Sequence, residues 1–382
     1  MTKIPFVDLS LQHEPLLDEI KQALLEVVAR GDFILGQDVR AFEQEFAQLT
    51  GVQYGIGVGS GTDAIALGLQ ACGLGKGDEV LIPANTFIAT VIGALHAGVT
   101  PILVDCDPKT ALIDLDAAQQ AITPQTKAIL PVHLYGQMVA PQALLDLAQT
   151  HNLTIFEDAA QAHLAHRDGY TAGSIGKAAA YSFYPSKNLG AFGNGGIVLT
   201  DSEDIANKVR CYRNYGAAKK YVHSELGTNS RLDTLQAAVL KVKLPHLQDW
   251  NLSRNQAAAQ YDNALNPLAD YGITPIENQS GTGHIYHLYI IRVQSPCPLT
   301  RDEMQAQLGD RGISTGIHYP IPCHLQPAYQ HLGYQEGDFP HAEALCQEIL
   351  SLPMYPGISE AEVTTVVDNV KDILADAQSI RA

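Results

Sequence analysis

The chain has 382 residues, 46% of them hydrophobic, which is enough for one large core and a smaller second one. A formal net charge of -17 excludes general affinity for nucleic acid or an anionic membrane surface, both of which such a protein repels. Six scattered cysteines (Cys72, Cys106, Cys211, Cys297, Cys323, Cys346) form no C-x-x-C pair, which argues against a disulfide framework or zinc site and for reduced thiols in the cytoplasm. The opening MTKIPFVDLSLQHEP lacks the apolar run of a signal peptide and no long apolar stretch follows it, so a soluble, unprocessed protein is expected.

From about residue 54 to residue 200, short apolar runs alternate with helical patterns, the signature of βαβ units. Strands are predicted near 54–58, 79–83, 100–105, 127–134, 153–157, 178–184 and 195–200. Their lack of polar alternation fits parallel strands covered on both faces. The last two are joined by PSKNLGAFGNG, too short for a crossover helix, so one antiparallel step is expected. The fold class is therefore α/β, an αβα sandwich around a seven-stranded, mostly parallel sheet. After Leu235 the helical runs LQAAVLKVKLPHLQDW and RNQAAAQYDNAL read as a connector. A smaller α+β C-terminal domain follows, with a strand-like HIYHLYIIRV and capping boxes at Thr300-x-x-Glu303 and Ser359-x-x-Glu362. The boundary is placed at 1–250 and 251–382, with the N-terminal segment packed on the large domain.

Three segments carry chemistry. In GIGVGSGTDAIALGL, a strand meets a helix at Ser60, Gly61 and Thr62, where free amides and the helix dipole favour a phosphate. Ser60 breaks the dinucleotide fingerprint, and Thr62 as a plain helix cap is the competing reading. In LTIFEDAAQAH, Asp158 ends a strand where ligands of open α/β sheets gather, and Gln161 lies on the same side if a helical turn begins there. A carboxylate so placed keeps a pyridinium nitrogen protonated; Asp158 as a helix cap is the alternative. In AAAYSFYPSKNLGAFGNGGIVLT, Lys187 sits in a turn among Phe183, Tyr184, Pro185, Leu189 and Phe192. An amine desolvated in this way becomes a nucleophile towards aldehydes, and Ser182 can add a hydroxyl to a phosphate pocket. His163 and His166 lack the further ligands a metal site needs, so no metal is expected.

GSGTDA, PANTFIAT, VHLYGQ, EDAAQAH, YSFYPSKNLG, GNGG and GTNSRLDTLQAA occur in the order and spacing of the DegT/DnrJ/EryC1/StrS sugar aminotransferases, which the chain resembles over nearly its whole length. The resemblance implies a fold-type I pyridoxal-phosphate enzyme working as a homodimer with shared active sites. It implies Lys187 as the Schiff-base lysine, Asp158 as the pyridine-nitrogen partner, Gln161 at the ring hydroxyl, and Ser60, Gly61, Thr62 and Ser182 around the phosphate. It also implies Phe87 stacked on the ring and Asn229 reaching the phosphate from the other subunit. Leu164 departs from the family, which commonly has glycine there.

The run GIHYPIPCHLQPAYQHLGY resembles family members that aminate C3 of dTDP-linked 3-keto-6-deoxyhexoses, with a related pattern in enzymes of UDP-linked 3-keto sugars. His318, Tyr319 and His324 are candidate sugar or diphosphate contacts, with Tyr184 beside the lysine as another. Lys219, Lys220 and Tyr221 form a cationic patch suited to a nucleotide diphosphate, which Arg254 is expected to join. The expected reaction moves an amino group from L-glutamate to a nucleotide-linked keto-sugar. C4 amination, a cyclitol ketone and a non-catalytic regulatory role stand as alternatives.

Overall fold

The computed structural model describes residues 3–381. Helices α1 (Leu17–Arg30) and α2 (Gln37–Thr50) precede a single sheet built from β1 (Tyr54–Val58), β2 (Glu79–Pro83), β3 (Thr100–Val104), β4 (Thr126–Ile129), β5 (Thr154–Asp158), β6 (Ala178–Ser182) and β7 (Gly196–Thr200). The strand order is β1-β7-β6-β5-β4-β2-β3. β7 runs antiparallel to β1 and β6, and the other pairings are parallel, as the short β6–β7 connection requires. β4 stops at Ile129 rather than continuing to 134, because Pro131 has no amide to give the ladder and the chain turns away after pairing with Asp158.

Helices α3 (Gly61–Ala71), α4 (Ile88–Ala97), α5 (Pro141–His151) and α6 (Glu203–Tyr212) follow strands of this sheet. Along β7, Val198 enters one core with Ile65 and Leu69, while Ile197 and Leu199 enter another with Phe42 and Phe46. Successive strand residues point to opposite faces, so two covered faces demand the unbroken apolar runs seen in the sequence. On the second face Phe46 meets Tyr181 and Phe183 edge-on, with ring centroids 5.2 and 5.5 Å apart, contacts worth about 0.5–1.5 kcal/mol each beyond area burial.

An exposed hairpin, β8 (Ala217–Lys219) and β9 (Val222–His223), leads to α7 (Thr234–Lys243) and then α8 (Leu247–Leu265). Beyond them lies a three-stranded antiparallel sheet of β10 (Ile273–Pro275), β11 (Tyr289–Val293) and β12 (Ile349–Leu352), packed with α8, α9 (Arg301–Asp310) and α11 (Glu360–Arg381); α10 (Pro340–Glu348) runs into β12. Only the second half of HIYHLYIIRV is strand. Its first half lies along the loop after β4, with the Ile285 amide donating to the Gly136 carbonyl at 3.0 Å. Both capping boxes form: Glu303 accepts from the Thr300 amide at 2.7 Å and Glu362 from that of Ser359 at 2.8 Å.

The N-terminal segment departs from expectation. α1 packs on the large unit through Ile20 and Val239, but Ile4 pairs with Ile313 in the core of the small sheet. Phe6 stacks on His318 with ring centroids 5.5 Å apart. Ile4 is 1% exposed there, an apolar burial that the large sheet, already covered on both faces, does not offer.

Candidate active site

β1, β2, β5 and β6 all point the same way, and their carboxyl ends open into one cavity of about 460 Å³. Ser60, Gly61, Thr62, Phe87, Asp158, Gln161, Ser182, Tyr184, Lys187, His318 and Tyr319 all line it, so most of the residues singled out in the sequence are brought together.

The phosphate side begins at α3. Ser60, not Thr62, is its N-cap: Ser60 Oγ accepts from the Asp63 amide at 3.1 Å and donates to Asp63 Oδ2 at 3.0 Å, so its hydroxyl serves the helix. The amides of Gly61 and Thr62 have no partner among the described residues and lie at the positive end of the helix. A Cβ on Gly61 would stand 2.7 Å from Cβ of Ser182, so only glycine lets β6 and the start of α3 close into one concave wall.

At the opposite side Asp158 is 4% exposed. No helix follows β5; the residues after Asp158 form a turn, and Oδ1 accepts from the Ala160 amide at 3.0 Å. Oδ2 accepts from Thr90 Oγ1 at 2.8 Å. Burial pushes the Asp158 pKa up, opposed by these two hydrogen bonds and by the charge of Lys187. Lys187 is held in a turn by its amide on the Tyr184 carbonyl at 2.9 Å. Burial pulls its pKa from 10.5 to about 8, against the attraction of Asp158. At pH 7 such an amine is neutral in about one molecule in ten, roughly 300 times the fraction for an ordinary lysine.

Phe87 and Tyr319 stack with centroids 5.0 Å apart at the cavity wall. Gln161 is oriented without ambiguity, because its Oε1 accepts from the Tyr135 amide at 2.6 Å, leaving Nε2 to donate to the Tyr319 hydroxyl at 3.0 Å and towards the cavity. His318 contributes its ring, tied through Nδ1 to Ser351 Oγ at 2.8 Å, and its carbonyl accepts from the Tyr135 hydroxyl at 2.6 Å.

Several expected residues are elsewhere. Arg254 does not join the cationic patch: it is 1% exposed inside α8 and donates to the carbonyls of Tyr286, His287 and Met354 at 3.0, 3.3 and 3.1 Å. His324 does not face the cavity either, since a tight turn at Cys323–Leu325 directs it onto Phe339 and Glu343, with Nε2 2.9 Å from Oε1. Lys219, Lys220, Tyr221 and Asn229 are exposed on or after the β8–β9 hairpin and line no part of this cavity. His163 donates from Nε2 to the Ser182 carbonyl at 2.9 Å, and no metal-holding cluster of three or more His, Cys, Asp or Glu exists among the described residues. Leu164 adopts φ 65°, a left-handed backbone that explains why glycine is common at this position. Thr90, Tyr135, Asn188 and His287 also line the cavity or bond to side chains that do, and no sequence signal points to them. Thr90, Tyr135 and His287 sit inside runs that were singled out, NTFIAT, VHLYGQ and HIYHLYIIRV, but nothing local marked them.

Sheet and cavity together define the class, an α/β transferase of fold type I. The chain belongs to the DegT/DnrJ/EryC1/StrS aminotransferase family, whose model matches residues 16–371. It is 42% identical over 370 residues to the dTDP-3-amino-3,4,6-trideoxy-alpha-D-glucose transaminase of Streptomyces venezuelae, covering 97% of this chain and 96% of that one. It is 45% identical over 370 residues to a pleiotropic regulatory protein of Geobacillus stearothermophilus, covering 97% and 98%. The structure of DesV from S. venezuelae, solved in complex with a ketimine intermediate, superposes with a TM-score of 0.92 at 41% identity, covering 98% and 99%.

Proposed function

We propose that the chain is a pyridoxal-phosphate-dependent aminotransferase that moves an amino group from L-glutamate to the C3 keto group of a nucleotide-linked keto-deoxysugar, with dTDP as the nucleotide. The observation that carries the reading is the meeting, in one cavity, of a lysine amine with a lowered pKa and a buried carboxylate, beside the open amides of a helix N-terminus. These residues fit the cofactor. Gly61 leaves the concavity that a Cβ would fill, the free amides and the hydroxyls of Thr62 and Ser182 suit its phosphate, and Asp158 suits its ring nitrogen. Phe87 would cover a ring face and Gln161 would donate to the ring hydroxyl.

When bound, pyridoxal phosphate supplies an electron sink that lets the C–H bond beside an amine ionise. The chain's own residues do the rest. Lys187 Nζ would hold the cofactor and, once released, accept and return the proton at the reacting carbon, for which a pKa near 8 is well matched. Asp158, ionised, would hold the ring nitrogen protonated, with Thr90 and the Ala160 amide fixing its two oxygens. Tyr184, His318 and Tyr319 offer hydrogen-bonding groups where a sugar would enter.

A homodimer belongs to the same proposal, since Asn229, Lys219 and Lys220 lie outside the chain's own cavity and would complete a partner's. So do a division near residue 250 into a cofactor-binding and a smaller domain, and a cytoplasmic location. For the latter, no helix among the described residues is long and apolar enough to cross a membrane. The likeness to a regulatory protein keeps a second reading in view. A purified protein whose visible absorbance bleaches with glutamate and which aminates a 3-keto but not a 4-keto nucleotide sugar supports the first. Lys187→Ala is expected to lose that absorbance and turnover together; normal transamination by this variant would overturn the assignment.

A further inference from the structure

The turn after β4 is where distant segments of the chain cross, and Tyr135 stands at the crossing. It is 2% exposed and does not itself line the cavity. Its backbone is left-handed, with φ 60°, and Gly136 follows at φ 98°. In that conformation the Tyr135 amide donates to Gln161 Oε1 at 2.6 Å, while the Gly136 carbonyl accepts from the Ile285 amide at 3.0 Å. The Tyr135 side chain reaches a further segment: its hydroxyl donates to the His318 carbonyl at 2.6 Å, across 183 positions of sequence. The direction of that bond is forced, because a carbonyl only accepts. Burial pushes the Tyr135 pKa well above the usual phenol range, so the proton stays on its oxygen.

His318 and Tyr319, unlike Tyr135, face the cavity. The His318 ring is tied towards the three-stranded sheet, with Ser351 Oγ on β12 2.8 Å from its Nδ1 and Phe6 stacked on it at 5.5 Å. Tyr319 is held from the other side, by Gln161 Nε2 at 3.0 Å and by its stack with Phe87 at 5.0 Å. The contacts close a ring that runs from the Tyr135 amide to Gln161, on to Tyr319, back along the chain to His318, and from its carbonyl to the Tyr135 hydroxyl. We infer that Tyr135 is a positioning residue for recognition of the keto-sugar, its hydroxyl fixing the His318–Tyr319 backbone against the wall that carries Gln161. Side chains that would meet the sugar are thereby set in register with those that would meet the cofactor. The inference rests on the aminotransferase reading. Removing the hydroxyl alone frees the His318 carbonyl but keeps the amide bond to Gln161, so it loosens the sugar side of the cavity and spares the cofactor side.

The test compares the two half-reactions of the full-length, cofactor-loaded protein. Single-turnover absorbance follows bleaching by glutamate in one, and recovery with a dTDP-linked 3-keto-6-deoxyhexose in the other. Tyr135→Phe is expected to lower the second-order constant for the keto-sugar about 3- to 10-fold, through a higher half-saturating concentration, while that for glutamate changes by less than about twofold. A tyrosine that only stabilises the fold would lower the thermal midpoint and impair both half-reactions alike. Equal losses in the two, or no loss with the keto-sugar, overturn the inference and leave the aminotransferase reading standing. A parent protein that accepts the amine from glutamate but passes it to no nucleotide keto-sugar overturns the sugar reading, and the inference with it. Should Tyr135→Phe not fold, hydroxyl-proton exchange at Tyr135 is read in the parent by NMR of ring-labelled tyrosine. Protection that rises when the keto-sugar binds the aldehyde form, where no amine is available to it, supports the inference; exchange at the solvent rate, or protection unmoved by the sugar, overturns it.

Discussion

Replacing Thr90 by valine removes one hydroxyl and almost no volume, and its effect on Asp158 can be worked from the hydrogen bonds. An ionised carboxylate only accepts, so the single proton of Thr90 goes to Asp158 Oδ2 at 2.8 Å, and Thr86, 2.8 Å from Thr90 Oγ1, must donate to Thr90 in turn. A hydrogen bond to a charged group contributes about 1.5–3 kcal/mol. Its loss shifts the ratio of ionised to protonated Asp158 about 10- to 150-fold towards the acid. Burial already raises the Asp158 pKa and the Thr90 hydroxyl is the first of the groups opposing it, so the variant moves the titration further up. A protonated Asp158 cannot pair with a protonated ring nitrogen. Cofactor affinity, titrated by absorbance across pH, should therefore fall off on the acid side at a higher pH than in the parent. Overall stability should drop by the hydrogen bond lost to ionised Asp158, about 1.5–3 kcal/mol, with about 1 kcal/mol more from the stranded Thr86 hydroxyl. A variant with the parent's cofactor affinity and the parent's acid limb would refute the role given to this relay.

Gly61→Val should fold with a modest loss of stability yet bind cofactor at least about tenfold more weakly, since its side chain would collide with Ser182 where the phosphate cradle closes; equilibrium dialysis checks this. Asp158→Asn should abolish turnover while raising the thermal midpoint of the cofactor-free protein at pH 7 by roughly 1–3 °C, because a pKa raised on folding means that the ionised form is a cost at neutral pH. Calorimetry on both proteins tests the sign. Lys243, 1% exposed, has its pKa pulled from 10.5 to about 8 by burial and donates to His13 and the Gly190 carbonyl with no carboxylate in reach. The unfolded chain binds the proton between pH 8 and 10.5 where the folded one does not, so stability gains a rising contribution across that window. In Lys243→Met that rise should vanish, which denaturant titrations at pH 7.5 and 9.5 would show.

Much of the fold is legible in the sequence. The seven strands and the antiparallel step are local matters, set by apolar runs of strand length and a connection too short for a helix, and the motifs around Asp158 and Lys187 are contiguous in the chain. β4 ends earlier than its apolar run, because Pro131 has no amide to give the ladder. Arg254 and His324 were misplaced for the converse reason: a cation in a helix or a histidine in a loop reads as exposed, and only the packing reveals that each is buried on partners about 20 to 100 residues away.

What the sequence by itself determined is the strands and the turns at their ends where Asp158 and Lys187 lie, because periodicity and turn residues act over a few positions. Tertiary structure alone decided how those ends converge and in which state each group is held. Thr90 reaches Asp158 across 68 residues, Tyr135 orients Gln161 across 26, and Asn188 fixes the His287 imidazole across 99. Burial, which tunes Lys187 to a pKa of about 8, is a property of everything packed around it and is written at no single position.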